Sequence, residues 1–249
     1  MARFEGKVVV VTGSSSGIGE ATARRFAGEG AAVIVNSSTS VDAGEKVAAE
    51  LRDEGATARY VQADVADGSQ RHALVDAVLA AHGRIDVLVN NAGTTKVIPH
   101  ADLDAATEEV FRRILDVNLI GTFELTKLAL PHLRATGSGA IVNVTSIAGI
   151  RPTGSSIPYA VSKAALNHLT DLLANVTGPE VRVNAVAPGL IRTPWTADWG
   201  PIHDLMHDRA PLGRSGEPED IAAAIVDVAA NPYMTGQVVV VDGGLSLRG

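Results

Sequence analysis

The amino-acid sequence predicts an α/β fold in which a seven-stranded parallel sheet is covered by helices on both faces. Short runs of β-branched residues alternate from end to end with longer segments that have helical spacing. This alternation is typical of parallel strands joined by right-handed helical crossovers. The chain is 46% hydrophobic but only 4% aromatic, and small aliphatic side chains suit a sheet that is buried on both faces.

The strands and helices can be placed along the chain in order. Strands are predicted at residues 7–12, 32–35, 59–62, 85–90, 141–145, 181–187 and 237–241, and helices at 18–28, 41–54, 68–82, 104–134 and 158–176. No linker, repeat or low-complexity segment interrupts this pattern, so we expect a single domain over residues 1–249. The longest irregular stretch, residues 189–217, is expected to be a substrate lid.

Composition and charge exclude several classes of function. The chain contains no cysteine, which excludes thiol nucleophiles, thiolate metal sites and disulfides. Its formal net charge of −7 argues against nucleic acid or an anionic membrane as the main partner. No apolar run approaches the roughly 20 residues that span a bilayer, and no signal-peptide core follows Met1. We therefore expect a cytoplasmic protein.

A glycine-rich turn follows the first predicted strand and reads Thr12-Gly-Ser-Ser-Ser-Gly-Ile-Gly19. Gly13 allows a sharp exit from the strand, Gly17 lets a pyrophosphate approach the backbone, and Gly19 lets the next helix pack on the sheet. The free N–H groups and the positive dipole end of that helix favour phosphate. Because no Lys-Ser or Lys-Thr pair follows, the turn predicts a Rossmann-type dinucleotide site and not a P-loop.

A second segment, Tyr159-Ala-Val-Ser-Lys163, is predicted to lie on a helix. Residues four apart share one helix face, and an ammonium beside a phenol lowers the pKa of the phenol, which suits Tyr159 to general acid/base catalysis. Ser146 follows the fifth strand at the carboxyl edge of the sheet, where such folds bind ligands. Each residue alone has an ordinary explanation as a surface neighbour or a cap, so it is the combination that indicates chemistry.

Taken together, these segments resemble the classical short-chain dehydrogenase/reductase family over residues 4–246, and in particular its 3-oxoacyl-carrier-protein reductases and their relatives. The resemblance implies a nicotinamide-dependent oxidoreductase that interconverts a carbonyl and a secondary alcohol by hydride transfer. It implies that Tyr159 is the acid/base and Lys163 its partner. It also implies that Ser146 orients the substrate and that Asn118 holds a water in a proton relay.

The same resemblance implies a set of cofactor contacts, and the sequence has no matching ligand cluster that would predict a metal site. These contacts are Gly13, Ser15, Ser16, Gly17, Ile18, Gly19, Ser37, Ser38, Asp64, Val65, Asn91, Ala92, Gly93, Tyr159, Lys163, Pro188, Gly189, Ile191 and Thr193. His203 and His207, in the lid, are expected to be surface residues. Trp195 and Trp199 are expected either to line the mouth of a partly apolar pocket or to anchor the lid.

The second strand bears on the choice of nicotinamide. Ser37 falls where NAD-preferring members of the family carry Asp, so nothing there repels a 2′-phosphate, and the hydroxyls of residues 37–40 can bond it. On the other side, Ser16 stands where NADPH-preferring relatives often carry Arg or Lys, and no Arg follows the strand. We expect NADP(H) in preference to NAD(H).

Three other functions have to be weighed against a free-ketone oxidoreductase. A regulator that binds the cofactor without turnover would lack Tyr159 or Lys163, and a sugar-nucleotide epimerase needs more than the roughly 60 residues that follow Pro188. A 3-oxoacyl-carrier-protein reductase would bring basic residues near the pocket, but residues 171–175 and 178–180 are neutral or acidic. An acyl carrier protein partner is therefore doubtful, and a small ketone or alcohol is at least as well supported. A homotetramer is expected through residues 104–134, 158–176 and 237–241.

Overall fold

The computed structural model describes residues 2–248 and contains the predicted seven-stranded parallel sheet. Its strands are β1 (Val8–Val11), β2 (Ala32–Ser37), β3 (Ala58–Gln62), β4 (Val87–Asn90), β5 (Gly139–Val144), β6 (Val181–Pro188) and β7 (Val238–Val241). The strand order is β3-β2-β1-β4-β5-β6-β7, and every neighbouring pair is parallel. The order reverses between β1 and β4, so the segments that follow these strands diverge and open a crevice at the carboxyl edge.

Helices cover both faces of the sheet, as predicted. They are α1 (Gly17–Gly28), α2 (Val41–Asp53), α3 (Gly68–His82), α4 (Glu108–Leu115), α5 (Thr122–Ala135), α6 (Ile157–Thr177), α7 (Gly200–Arg209) and α8 (Pro218–Ala230). One core cluster joins α1, α2 and α8 to the sheet, and a second joins α3, α5 and α6 to the opposite face. Strand β1 contributes side chains to both clusters, because Val9 and Val11 point to one face while Val8 and Val10 point to the other.

The predicted long helix at residues 104–134 is interrupted, which corrects that expectation. Helix α4 ends at Leu115, a π-helical turn spans Asp116–Gly121, and α5 then continues to Ala135. Gly121 lies so close to the segment after β3 that a Cβ there would be 2.4 Å from the carbonyl oxygen of Val65. This tertiary contact shapes the turn, and helical spacing in the sequence carries no sign of it.

Residues 189–217 are more regular than expected. They contain α7, a 3₁₀ turn at Pro194–Thr196 and a bridge between Ile191 and Gly216. The expected surface position of His203 is wrong: its side chain is buried, with Nδ1 2.7 Å from the Ser215 hydroxyl and Nε2 3.2 Å from the Thr196 carbonyl oxygen. His203 therefore ties α7 to the base of the segment, whereas His207 is exposed.

A row of buried polar side chains crosses the sheet below its carboxyl edge. Asn90 and Asn143 are register partners on β4 and β5, and the Asn90 amide donates to Asn143 Oδ1 at 2.9 Å. Asn90 also donates to Thr126 of α5, and Asn143 donates to Thr170 of α6. We call these four residues the polar row. Its members satisfy one another's hydrogen bonds in an otherwise aliphatic interior.

Candidate active site

One cleft of about 1560 Å³ lies along the carboxyl edge of the sheet, and it brings the predicted site residues together. Every residue predicted to contact the cofactor lines this cleft, from the glycine turn after β1 to Thr193 beyond β6. Ser146 lines it as well. Asn118 does not, because its side chain is fully buried immediately behind the wall.

The glycine turn has the geometry that a pyrophosphate requires. Gly13 and Gly17 adopt φ values of 62° and 57°, which favour glycine. A Cβ on Gly19 would lie 2.2 Å from the carbonyl oxygen of Gly13, so the turn is closed directly onto α1. The N-cap residue Ser16 makes no side-chain capping bond, and the first amides of α1 are left for a phosphate.

Thr12 and Asn91 join this turn to the segment that follows β4. The Thr12 hydroxyl accepts hydrogen bonds from the backbone amides of Asn91 and Ala92, both at 3.0 Å. The Asn91 side chain in turn donates to the carbonyl oxygens of Thr12 and Gly13, both at 2.9 Å. Two walls of the cleft are therefore held together at the point where the strand order reverses.

The end of β2 presents hydroxyl groups and no carboxylate to the cleft. Asn36, Ser37, Ser38 and Ser40 line it there. The Ser37 hydroxyl is 2.8 Å from the Tyr60 hydroxyl and is only 6% exposed, while Ser38 is exposed. Sequence reasoning missed Tyr60, which reaches this position because Gly44 of α2 leaves room for its ring: a Cβ on Gly44 would lie 2.2 Å from it.

Asp64 and Val65, predicted adenine contacts, lie beyond β3. The Asp64 carboxylate accepts a bond from the Ala66 amide at 2.8 Å and faces the Arg113 guanidinium at 3.6 Å. The Asp64 carboxylate therefore stabilises its own loop, and it lies opposite the Arg113 guanidinium in the cleft.

The first two turns of α6 carry Tyr159 and Lys163. The Ser156 hydroxyl caps this helix by accepting from the Tyr159 amide. Lys163 is buried; its Nζ donates to the Val144 carbonyl oxygen at 2.8 Å and lies 5.7 Å from the centre of the Tyr159 ring. The lysine therefore bridges α6 and the end of β5.

Ser146 is held beside this pair by the turn that follows β5. Its hydroxyl accepts a hydrogen bond from the Ala148 amide at 3.1 Å, at the start of a 3₁₀ turn over Ile147–Gly149. Gly149 packs on α6 so closely that a Cβ there would be 2.6 Å from the Lys163 carbonyl carbon. The short turn therefore fixes Ser146 against the helix that carries Tyr159.

Burial dominates the ionisation of the site. It lowers the pKa of Lys163 from 10.5 to about 8, because an ammonium is disfavoured away from water. It also raises the pKa of Tyr159, with the neighbouring Ser146 hydroxyl acting in the opposite direction. The sequence predicted that Lys163 would lower the Tyr159 pKa. In the structure the pKa of Tyr159 is instead raised, because burial of the phenol outweighs the effect of the Ser146 hydroxyl.

Asn118 lies on the π-helical turn and is connected to α6 by a residue that the sequence reasoning missed. Its side chain accepts from the Thr94 amide at 2.7 Å and donates to the Thr94 carbonyl oxygen at 3.0 Å. It also donates to the Ser162 hydroxyl at 3.0 Å, and Ser162 donates to the Tyr159 carbonyl oxygen at 2.7 Å. The one signal in the sequence was a serine placed three residues after Tyr159, on the same helix face.

Comparison with known proteins identifies relatives that are named as reductases or dehydrogenases. A family model described as Enoyl-(Acyl carrier protein) reductase matches residues 13–246. A protein of Streptomyces violaceoruber, assigned by name as ketoacyl reductase 2 of the granaticin polyketide synthase, is 55% identical over 246 residues, which are 98% of this chain and 97% of that protein. A short-chain dehydrogenase/reductase structure from Burkholderia xenovorans superposes with a TM-score of 0.91 at 43% identity, covering 97% of this chain and 98% of that one.

The chain belongs to the short-chain dehydrogenase/reductase family. A further neighbour, a gluconate 5-dehydrogenase from Burkholderia cenocepacia J2315 solved with NADP and tartrate, has a TM-score of 0.89 at 33% identity, covering 99% of this chain and 98% of that one. Membership makes this chain an oxidoreductase that uses a nicotinamide dinucleotide to interconvert carbonyl and alcohol groups.

In this short-chain dehydrogenase/reductase the two tryptophans line the cleft. The Trp195 ring meets the Tyr159 ring edge-on, with 6.2 Å between centroids and an interplanar angle of 74°. Trp195 remains 47% exposed. The two tryptophans therefore line the pocket, which is one of the positions expected from the sequence.

Two further findings concern residues 2–248 only. None of their helices is long and apolar enough to cross a membrane. In the same part of this dehydrogenase, no group of three or more histidine, aspartate or glutamate side chains is arranged to hold a metal ion.

Proposed function

We propose that the chain is an NADP(H)-preferring ketone reductase in which Tyr159 is the general acid. The observation that carries the proposal is that Tyr159, Ser146 and Lys163 meet in one cleft with the glycine turn. A phenol with a raised pKa is protonated at neutral pH, which is the state that a general acid for carbonyl reduction needs.

Each residue of the chain has a defined task in this reaction. The Ser146 hydroxyl donates to the carbonyl oxygen of the substrate and holds it beside the Tyr159 hydroxyl, which gives its proton to that oxygen. When bound, the nicotinamide supplies the hydride and, in its oxidised form, a positive charge. Lys163 stabilises the phenolate that remains and passes a proton back to it. Asn118 keeps the Thr94 backbone in place behind Lys163.

The residues present fit a dinucleotide. The turn between Gly13 and Gly19 would hold the pyrophosphate, Asp64 and Val65 the adenine, and the segment from Pro188 to Thr193 the nicotinamide amide. Support comes from the close packing of this cradle, since a Cβ on Gly17 would lie 3.2 Å from the Thr193 side chain. The pyrophosphate and the nicotinamide amide would therefore rest on two neighbouring segments that leave no room for a larger residue at Gly17.

The preference for NADP(H) is supported by the end of β2 and by one neighbour. No carboxylate lines the cleft there to repel a 2′-phosphate, and the related gluconate 5-dehydrogenase was solved with NADP. Because the Ser37 hydroxyl is bonded to Tyr60, Ser38 and Ser40 are the residues that would donate to the phosphate.

Calorimetric titration with NADPH and with NADH tests this preference. We expect NADPH to bind more tightly, and we expect Ser37→Asp to shift the preference toward NADH because it adds a negative charge at this position. Ser37→Asn, of similar size but neutral, is the control and should leave the order unchanged. Tighter binding of NADH to the unaltered chain would refute the preference.

Ketone reduction is favoured over reduction of a carbon–carbon double bond. The matching family model is described as an enoyl reductase, but the relative that is 55% identical is named as a ketoacyl reductase. An assay of matched 3-oxoacyl and enoyl thioesters with NADPH separates the two chemistries. Oxidation of NADPH by the enoyl thioester alone would overturn the proposal.

The Tyr159→Phe variant tests the assigned acid. Loss of the phenolic proton should lower the turnover number by at least about 10²–10⁴, while calorimetry should show cofactor affinity close to that of the unaltered chain. Tyr233→Phe is the matched control, because Tyr233 is fully exposed. A regulator without turnover would bind cofactor and oxidise none with any ketone, and Tyr159→Phe would then change nothing.

We also propose that the chain forms a homotetramer through its long helices and β7. Apolar side chains stand exposed on these elements, including Leu172 at 54%, Val176 at 64% and Val240 at 41%. Strand β7 is a free edge of the sheet, which favours pairing with another copy. Light scattering at the protein concentration of the assay should give four chain masses, and a mass of one chain would refute the assembly.

A further inference from the structure

We propose that the substrate carries an anionic group, a carboxylate or a phosphate, which Arg151, Arg209 and Arg248 bind at the outer end of the cleft. We call these three residues the arginine cluster. The inference rests on the proposed function, because that function places the reacting carbonyl at Tyr159. The cluster then defines what the rest of the substrate must look like.

The three arginines come from separate segments, which meet at the C-terminal turn of residues 243–248. Arg151 donates to the Ser246 carbonyl oxygen at 3.2 Å, and Arg248 donates to the Asp208 carbonyl oxygen at 3.4 Å. Arg209 ends α7, and the same turn packs on its exit, where the Leu212 amide donates to the Gly243 carbonyl oxygen at 3.1 Å. All three arginines line the cleft.

The charge of the cluster is not neutralised within residues 2–248. No ion pair there involves any of its members. Two carboxylates also line the cleft, Asp198 and Asp208 of the segment that carries Arg209, and the Asp208 carboxylate is 2.9 Å from the His207 ring. Set against these two carboxylates, the three guanidinium groups leave an excess of one positive charge among these lining residues, which favours an anion.

The cleft that holds the cluster and Tyr159 is also lined by large apolar side chains. They are Ile147, Leu190, Trp195, Trp199, Ile202 and Met206. A ligand that satisfies both regions has an apolar body, a ketone at one end and an anionic group at the other. The planar guanidinium matches the two oxygens of a carboxylate or phosphate. The carboxylate of an oxo acid and the phosphate of a pantetheine arm both present such a pair of oxygens.

Binding measured with the oxidised cofactor tests the proposal without turnover. Both tryptophans of the chain line the cleft, so their fluorescence reports occupancy. With saturating NADP⁺, 9-oxodecanoate is compared with its methyl ester, and a 3-oxooctanoyl phosphopantetheine thioester with the corresponding pantetheine thioester. We expect at least one charged ligand to bind roughly tenfold more tightly than its neutral partner. This difference should fall as salt is added.

Three variants assign the effect to the cluster. Changing all three arginines to Gln should remove the preference for the charged ligand and leave affinity for the neutral one unchanged. Changing all three to Lys keeps the charge and should retain much of the preference. Arg59→Gln is the matched control, because Arg59 is exposed on the edge strand β3 and outside the cleft.

The outcomes separate the source of the anion and distinguish this inference from the proposed function. Preference for the oxo acid alone identifies a free carboxylate, and preference for the phosphopantetheine ligand alone identifies a carrier-type arm. Three results would overturn the inference. They are equal binding of charged and neutral partners, no binding of either charged ligand, and a preference for the charged ligand that survives the Arg→Gln changes. A chain that binds charged ligands more tightly but reduces no ketone would defeat the proposed function and leave this inference standing.

Discussion

Replacing Lys163 with methionine should stabilise the fold at neutral pH while it abolishes turnover. Burial lowers the pKa of Lys163 from 10.5 to about 8, and this difference corresponds to about 3 kcal/mol of destabilisation by the buried ammonium at pH 7. Methionine fills a similar volume without charge. Loss of the hydrogen bond to the Val144 carbonyl oxygen costs about 1–3 kcal/mol, so the variant is expected to gain at most about 2 kcal/mol at pH 7.

The pH dependence of this gain is the sharper test. Because the folded pKa lies below the unfolded one, the unfolded chain binds more protons between pH 8 and 10.5, and stability rises with pH across that window. The wild type should therefore gain about 3 kcal/mol relative to Lys163→Met as the pH rises through it. Urea unfolding followed by tryptophan fluorescence measures both proteins from pH 7 to 10.5.

A matched control removes the contribution of other titrating groups. Lys96 is exposed, so Lys96→Met should differ from the wild type by the same amount at every pH. If the difference between the wild type and Lys163→Met is likewise constant over this range, the buried ammonium does not destabilise the fold and the reasoning is refuted.

Three further predictions concern the site. Gly19→Ala should weaken NADPH binding in calorimetry at least tenfold, because the new Cβ would lie 2.2 Å from a backbone oxygen of the glycine turn. The control Gly28→Ala, at the open end of the same helix, should bind NADPH normally. Normal binding by both variants would contradict the role of the turn. Ser162→Ala removes the hydroxyl between the Asn118 amide and the Tyr159 carbonyl oxygen. It should lower the turnover number about fivefold, a loss of about 1 kcal/mol, and leave cofactor affinity unchanged. An unaltered turnover number in steady-state assays would show that the hydrogen bonds of Ser162 are not needed. Ketone reduction should slow as pH rises above about 8, where Lys163 loses its proton, and a pH–rate profile that stays flat to pH 10 would argue against a charged lysine in the reaction.

The sequence predicts those parts of the molecule that follow from local patterning. The strands appear close to their predicted limits because parallel strands buried on both faces read as continuous aliphatic runs, as in Val8–Val11. The cleft contains the predicted cofactor residues because the carboxyl ends of neighbouring parallel strands meet at one edge. The assigned catalytic and binding roles remain predictions that the variants above test.

Other features depend on contacts between distant residues and leave no pattern in the sequence. The interruption of the helix at Asp116–Gly121 depends on the approach of Gly121 to Val65, and the burial of His203 depends on Ser215 and Thr196. The pKa of Tyr159 depends on how deeply the fold buries the phenol, which spacing on a helix does not reveal. Helix spacing indicated correctly that Tyr159 and Lys163 are neighbours. It did not indicate whether burial or the nearby charge has the larger effect on the pKa of Tyr159.

The polar row also bears on how the chain reaches its correct fold. Asn90 and Asn143 are partners only in the native register of β4 and β5. A slip of one strand by one residue would turn its asparagine to the opposite face of the sheet and leave both amides without their partner, at a cost of about 1–3 kcal/mol for every unsatisfied polar group. Contacts among valines distinguish neighbouring registers less sharply, so these two asparagines favour the one alignment in which the ends of β4 and β5 lie side by side at the carboxyl edge.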